Sequence, residues 1–381
     1  MILGAPAGVR PPPPRGLSLL PDEFVNPEPI PGAVKRTVKE WVADPAAAAT
    51  SDPIFALLAG TPPLLSFKGG EEDGAARSGG IIDRATQHLA RATGGGEVGV
   101  LDAAAAAAAA LERSSYLAIQ GPPGTGKTSA AALIIADAVG RGQRVAVTAN
   151  SHKVITNLLA KATEVIAGRA ARGELDDCAA LQERLRACSS EDDVDGDGGS
   201  GSGMSGGGGG GGGVVRPIGV VKIGSSSAAA FTEDIQSIEA AGERGSGVGE
   251  ALSSLLEVRG SKSAKGAALE PNDLLIGATA WGLANEALEG CADYLVVDEA
   301  GQVPVTRLLA MKRVLGGSEE EAEQQQQQQD AEGRGGGLIL LGDQMQLYAA
   351  TPRPPSAWPA LPRKKEMSPE VLVSGPNWSE P

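Results

Sequence analysis

Eight consecutive residues have the types and the spacing of a phosphate-binding loop. They are Gly121, Pro122, Pro123, Gly124, Thr125, Gly126, Lys127 and Thr128, which fit the pattern G-x-x-x-x-G-K-[ST]. In this pattern the glycines let backbone N–H groups converge on phosphate oxygens, the lysine reaches the β- and γ-phosphates, and the threonine hydroxyl binds Mg²⁺. The stretch therefore predicts a site for the phosphates of a nucleotide.

The elements on either side of this loop are those that such a site requires. Residues 116–120 are predicted to form a short buried strand. Residues 129–139 are predicted to form a helix that ends at Gly140. A phosphate bound between them would lie at a helix N-terminus, where unpaired N–H groups and the helix dipole favour an anion.

Adjacent carboxylates follow a later apolar run. Asp298 and Glu299 lie near the end of the strand predicted over residues 292–300. Taken alone, an Asp-Glu pair at this place is usually a solvated strand end. Beside a phosphate loop it suits nucleotide chemistry, because Asp298 would complete the Mg²⁺ shell and Glu299 would orient or deprotonate the attacking water.

Further strands are predicted over residues 143–150, 214–223, 273–281 and 338–347, with a helix beginning near Lys153 and another over 303–314. Alternation of strands and helices predicts an α/β fold with a parallel sheet and right-handed crossovers. The polar cluster Asn150, Ser151, His152 and Lys153 would then lie at the C-terminal edge of the sheet, where ligands of α/β proteins bind. Simple helix capping by Ser151 explains the same residues, and both explanations stay open.

Four motifs in order resemble motifs I, Ia, II and III of superfamily 1 helicases. They are the stretches 121–128, 147–153, 298–302 and 342–347. The branch they resemble contains the nonsense-mediated-decay helicase and related replication helicase-nucleases. Residues 277–281 are similar to a further segment of that branch, especially in helicases joined to a RecB-like nuclease.

The resemblance implies a P-loop NTPase (RecA-like) fold, ATP and Mg²⁺ as cofactors, and 5′ to 3′ movement along single-stranded DNA or RNA. Lys127 would bind phosphates, Thr128 and Asp298 the metal, and Glu299 would be the catalytic base. Gln302 and Gln346 would couple the γ-phosphate to movement. The nucleic acid would lie against these residues: Asn150, Ser151, His152, Lys153 and Thr279.

The resemblance covers residues 101–350, which correspond to the first RecA-like domain. No second sheet is predicted after Leu347, and the nearest arginines, Arg353 and Arg363, lie in a proline-rich tail unsuited to a rigid arginine finger. Such a finger is worth orders of magnitude in turnover. We therefore expect a second RecA-like domain or a partner protein to supply it, and this chain alone to bind ATP better than it hydrolyses it.

Composition divides the chain further. We expect residues 1–54 to be proline-rich and mostly disordered, 55–100 to be a short helical lead-in, and 351–381 to be a tail. Low-complexity insertions are predicted at about 191–213 and 317–337. Hydrophobic residues make up 41% and aromatic residues 3% of the sequence, so the core should be aliphatic and rich in alanine.

The net charge of −14 is the wrong sign for simple electrostatic capture of nucleic acid. It weighs against that role only mildly, because the acidic residues concentrate beside the predicted insertions. Three cysteines without metal spacing favour a reducing compartment. No apolar run approaches a membrane span, so we expect a soluble intracellular protein, in nucleus or cytoplasm.

Three hypotheses follow. The first is a helicase-type motor domain, and the second is a truncated nucleotide-binding module that hydrolyses little or nothing by itself. The third is a P-loop ATPase unrelated to nucleic acid, which would make the motifs at 298–302 and 342–347 coincidental. The sequence does not choose DNA over RNA, because motors of this kind read the shared phosphate backbone.

Overall fold

A computed structural model describes residues 28–67, 80–175, 178–187, 216–224, 255–316 and 336–343. These residues form a seven-stranded sheet in the order β1-β7-β6-β2-β5-β3-β4, and every neighbouring pair of strands is parallel. The strands are β1 Tyr116–Gln120, β2 Val145–Thr148, β3 Ile218–Ile223, β4 Leu256–Ser261, β5 Asp273–Gly277, β6 Tyr294–Val297 and β7 Gly337–Gly342. The predicted α/β class and parallel RecA-like sheet are confirmed.

Helices lie on both faces of the sheet. They are α1 Ile30–Ala43, α2 Pro45–Ser51, α3 Pro53–Ala59, α4 Ile81–Ala92, α5 Val100–Ala109, α6 Lys127–Gly140, α7 His152–Ala171, α8 Ala179–Ala187, α9 Ala280–Leu283 and α10 Val305–Ala310. Short 3₁₀ turns cover 264–266, 286–288, 300–302 and 312–314. No helix in the described ranges has the length and apolarity that crossing a membrane requires.

Alternating residues of the central strands enter two separate hydrophobic cores. Tyr294 and Val296 of β6 pack with α5, α6 and α7, whereas Leu295 and Val297 pack with α3, α9 and α10. Parallel strands covered on both faces read as continuous apolar runs, which is why the strand positions could be predicted from the sequence. Alanines fill much of the core under α5 and α6, as the composition predicted.

The strands differ from the prediction in two respects. The segment before residue 270 contains an additional strand, β4, which pairs with β3 at the sheet edge. The strand predicted over 273–281 ends at Gly277, because residues 280–283 turn into α9, and the strand predicted over 292–300 ends at Val297 before the 3₁₀ turn.

The described part of the N-terminal segment is helical rather than irregular. Prolines occupy the first turns of α1, α2 and α3, where no N–H bond is lost. The ring of Trp41 stacks on that of Phe55 with centroids 5.4 Å apart, and Thr37 Oγ1 donates to the Leu309 carbonyl at 3.0 Å. The boundary predicted at residue 54 falls inside α3. The predicted tail and the 191–213 insertion lie outside the described residues, as do 317–335.

Candidate nucleotide site and nucleic-acid interface

Because all strands are parallel, the loops after their carboxyl ends share one edge of the sheet. The loops after β1, β7 and β6 contain the phosphate loop and the Asp-Glu pair, and we call them the nucleotide half. The loops after β2 and β5 contain the predicted nucleic-acid residues, and we call them the nucleic-acid half. The strand order thus separates the two sets of predicted residues, with the boundary between β6 and β2.

The phosphate loop connects β1 to α6. Gly124 and Gly126 have φ angles of +81° and +85°. A side chain is strained in this left-handed region, whereas glycine enters it freely. The two glycines therefore let the backbone curl in front of the first turn of α6, where its N–H groups are unpaired and suited to phosphate oxygens.

Lys127 begins α6, and its ammonium folds back across the loop. Its Nζ donates to the carbonyl of Gly121 at 2.7 Å and to that of Pro122 at 2.9 Å. The next residue, Thr128, is exposed, so its hydroxyl is accessible to a ligand. The two side chains therefore lie at the mouth of the loop, where the sequence predicted phosphate and metal binding.

Asp298 follows β6 and is 7% exposed. Its Oδ1 accepts a hydrogen bond from the Glu299 backbone N–H at 2.8 Å. Burial raises the pKa of Asp298, and the Glu299 N–H and the positive charge of Lys127 act in the opposite direction. A further cation beside this carboxylate would offset the cost of burying its charge, and carboxylate and hydroxyl oxygens are the ligands that Mg²⁺ prefers. Asp298 and Thr128 thus have the chemistry of a magnesium site.

Glu299 has φ 51° and ψ 42°, and among the described residues it alone combines a positive φ with a side chain. Its carbonyl accepts the N–H of Gln302 at 2.8 Å, which closes the 3₁₀ turn 300–302. This conformation costs on the order of 1 kcal/mol and is typical of functional sites. It turns the chain sharply after the buried Asp298 and leaves Glu299 and Gln302 half-buried.

The end of β7 lies beside this turn. A Cβ on Gly301 would be 3.8 Å from the Asp343 carbonyl oxygen. The Gly121 N–H donates to the Gly342 carbonyl at 3.1 Å, so the end of β7 also contacts the start of the phosphate loop. Three predicted motifs therefore meet here, while Gln346 itself lies outside the described residues.

The nucleic-acid half brings Asn150, Ser151, His152 and Lys153 to the start of α7, where all four are exposed. Thr279 follows the neighbouring strand β5 and is half-buried. The Ala278 N–H donates to the Val147 carbonyl of β2 at 3.0 Å, so the end of β5 lies beside the end of β2. Ser151 is a helix cap, because its hydroxyl accepts the Val154 N–H at 3.3 Å. Capping thus accounts for Ser151 but not for the other three residues of the cluster.

Two polar residues near this edge were not predicted as part of a site. Lys222, near the end of β3, is 4% exposed, and its ammonium donates to the Thr156 hydroxyl of α7. Partial loss of solvent around the imidazole and, secondarily, the positive charge of Lys222 lower the pKa of His152. Lys222 could have been noticed in the sequence, because it is a charged residue inside the apolar run 218–223. The other residue is Arg307 of α10, which contacts Asn150 and has no comparable signal.

Comparison with known proteins agrees with this geometry. A family model described as an AAA domain matches residues 102–189, from α5 to just beyond α8. The match includes the phosphate loop and the Asn150–Lys153 cluster and ends before Asp298. It fits a P-loop domain of the superfamily 1 helicase type. A search of curated proteins found no match to the chain.

Proposed function

We propose that this chain carries the first motor domain of a superfamily 1 helicase, which binds ATP and Mg²⁺ and acts on single-stranded DNA or RNA. The branch we propose is that of the nonsense-mediated-decay helicase and the related replication helicase-nucleases, whose members move 5′ to 3′. The observation that carries the proposal is the shared sheet edge. It holds the phosphate loop, Asp298 and Glu299 in one half and the exposed cluster from Asn150 to Lys153 in the other.

The nucleotide half supplies groups for binding. The loop N–H groups and Lys127 would hold the phosphates, with the ammonium exchanging its two carbonyl partners for phosphate oxygens. Thr128 and Asp298 would hold Mg²⁺, which when bound neutralises charge on the β- and γ-phosphates. These interactions position the γ-phosphate next to the turn that contains Glu299.

Glu299 would act as the general base in hydrolysis. Its carboxylate would orient a water molecule and accept its proton as the water oxygen bonds to the γ-phosphorus. The bond between that phosphorus and the β–γ bridging oxygen breaks, so the products are ADP and inorganic phosphate. Gln302, three residues later, would report the presence of the γ-phosphate to the adjoining loops.

A second RecA-like domain, or a partner protein, would supply the arginine that stabilises charge on the transferred phosphoryl group. The two nearest arginines after the last motif, Arg353 and Arg363, lie outside the described residues. Without such a group we expect slow turnover, since an arginine finger contributes about 10³–10⁵-fold in related NTPases.

ATP binding and hydrolysis by the purified chain, with and without single-stranded DNA and RNA, test the proposal. We expect ATP binding that Lys127→Ala weakens at least about a hundredfold, because an anion loses its main positive partner. The control is Lys161→Ala, which removes an exposed lysine paired with Glu164 on α7. Stimulation by a polymer would support a working motor, whereas ATP binding without turnover would favour the truncated module. Equal ATP affinity for both variants would contradict the nucleotide site.

A further inference from the structure

A hydrogen bond between two side chains crosses from the nucleotide half to the nucleic-acid half. Nη1 of Arg307 donates to Oδ1 of Asn150 at 3.0 Å. Arg307 lies in the first turn of α10, the helix that follows the Glu299 turn, and Asn150 lies between β2 and the start of α7. Because β6 and β2 are neighbouring strands, this bond connects the loops on either side of the boundary.

The backbone of Arg307 is firmly held. The Arg307 N–H donates to the Pro304 carbonyl at 2.9 Å, which ties the first turn of α10 to the chain just after residues 300–302. Leu308 and Leu309 are buried in the core, and the Leu309 carbonyl accepts the Thr37 hydroxyl of α1. A displacement of the Glu299 turn would therefore reach the guanidinium through a short and well-anchored segment.

The chemistry of the two groups fixes which way the asparagine faces. A guanidinium carries only donors, so the amide atom it contacts must be the carbonyl oxygen. The NH₂ group of Asn150 then lies on the opposite side of the amide, and Asn150 is exposed. Phosphodiester oxygens only accept hydrogen bonds, and asparagine side chains are among the groups that donate to them. The Arg307 contact thus selects the amide orientation that suits a nucleic-acid backbone.

We propose that Arg307 is a positioning residue that presents the Asn150 amide to a nucleic-acid phosphate and links that contact to the nucleotide state of the Glu299 turn. This inference rests on the proposed function, because it assigns a route between the two halves of that same edge. It names a residue outside the four motifs on which the proposed function depends.

Oligonucleotide binding by the full chain tests the first part. The probes are fluorescently labelled single-stranded oligo-dT and oligo-U, and the variants are Arg307→Met, Asn150→Ala and the double variant. We expect each single variant to weaken binding about ten- to a hundredfold, as for loss of one hydrogen bond to a charged group. The double variant should bind no more weakly than either single variant, because both changes remove the same contact.

The matched control is Arg313→Met, which removes the same charge at a site where Arg313 pairs with Glu40 and Glu289. It should bind the oligonucleotides as the wild type does. Asn150→Ala changes an exposed residue and provides a test that does not depend on how α10 tolerates substitution. Arg307→Lys retains a positive donor and should restore part of the affinity.

The link to the nucleotide is tested by repeating the titrations with Mg²⁺ and a non-hydrolysable ATP analogue. In the wild type the analogue should change oligonucleotide affinity, and in Arg307→Met that change should be lost while analogue binding is retained. If Arg307 had a purely structural role, the analogue would change oligonucleotide affinity by the same factor in Arg307→Met as in the wild type.

The outcomes separate the two proposals. If the wild type binds both ligands but Asn150→Ala or Arg307→Met binds oligonucleotide normally, or if their losses are additive, the role of Arg307 is wrong and the proposed function stands. If the wild type binds ATP and neither oligonucleotide, the nucleic-acid part of the proposed function is wrong and the inference is wrong with it.

Discussion

The two halves of the sheet edge are built in different ways. In the nucleotide half the backbone does most of the shaping, through Gly124, Gly126 and the strained Glu299, and its acidic residue Asp298 is buried. In the nucleic-acid half the candidate contacts are side chains, and those from Asn150 to Lys153 stand in solvent at the start of α7.

This difference matches the ligands that we propose. A triphosphate presents the same phosphate groups in every nucleotide, so a rigid backbone cradle suits its oxygens and a buried carboxylate suits its Mg²⁺, and organising both in advance lowers the cost of binding. A single strand of variable sequence shares only its phosphates, which exposed donors on side chains can follow. Substitutions in the nucleotide half should therefore change the hydrolysis rate and the backbone strain. Substitutions in the nucleic-acid half should change core packing and the electrostatic environment of exposed side chains.

The largest expected effect is on hydrolysis in the nucleotide half. Glu299→Gln should lower the ATP hydrolysis rate at least about a hundredfold while ATP affinity is retained, because an amide cannot accept the proton of the attacking water. The rate is measured by phosphate release, with saturating single-stranded DNA or RNA present. Glu257→Gln, at an exposed residue of β4, is the control and should leave the rate unchanged. Equal rates for Glu299→Gln and the wild type would show that Glu299 is not the base.

The next effect is on packing under the nucleic-acid half. A Cβ on Gly277 would lie 2.4 Å from Leu159 Cδ1 and 2.9 Å from Ile155 Cγ2 of α7. Gly277→Ala should therefore lower the free energy of unfolding by about 1–3 kcal/mol, since the core has no room for another methyl group.

Denaturant unfolding measures this change. The control is Gly96→Ala, where the nearest atom would be Thr93 Oγ1 at 3.7 Å. The control should change stability by less than about 0.5 kcal/mol. If Gly277→Ala is as stable as the control, α7 does not pack on β5 as closely as described.

A smaller effect concerns strain in the nucleotide half. Glu299→Gly and Glu299→Ala both remove the carboxylate, but only glycine adopts φ 51° without strain. We expect the glycine variant to be more stable than the alanine variant by about 1 kcal/mol, measured by the same unfolding experiment. The reverse order would mean that the turn relaxes when its side chain is shortened.

The smallest effect is electrostatic and lies in the nucleic-acid half. The buried positive charge of Lys222 disfavours protonation of His152, so Lys222→Met should raise the pKa of His152. The chain has two histidines, so an NMR titration can follow each imidazole separately. Lys265→Met, at an exposed lysine, is the control. An unchanged His152 titration in Lys222→Met would show that burial alone lowers its pKa.

Much of this architecture was predictable because its signals are local. A glycine-rich loop between a strand and a helix, and apolar runs that end in polar residues, follow from residue types and spacing alone. The edge strand β4 was missed for a physical reason. Its residues alternate only weakly in burial, and pairing with β3, far away in sequence, is what makes it a strand.

The N-terminal segment shows a second error of the same kind. Its density of prolines predicted mostly disordered structure up to residue 54, yet in α1 and α2 prolines stand in first turns and the helices pack on the domain. Lys312 illustrates the tertiary contribution, because its ammonium pairs with Glu40 at 2.6 Å and lies 5.3 Å from the centre of the Phe55 ring. No local pattern in residues 28–59 indicated that partner.

Local residue types and spacing were enough to predict the phosphate loop, the Asp-Glu pair and the parallel sheet, since each depends on neighbours within a few residues. The strand order, and with it the division of the edge between β6 and β2, depends on how distant segments pair and became known from the fold. The same holds for the contacts of Lys222 with Thr156 and of Arg307 with Asn150, which join residues 66 and 157 positions apart. Such pairs form because crossover connections bring distant segments to one edge, a geometry that no local spacing encodes.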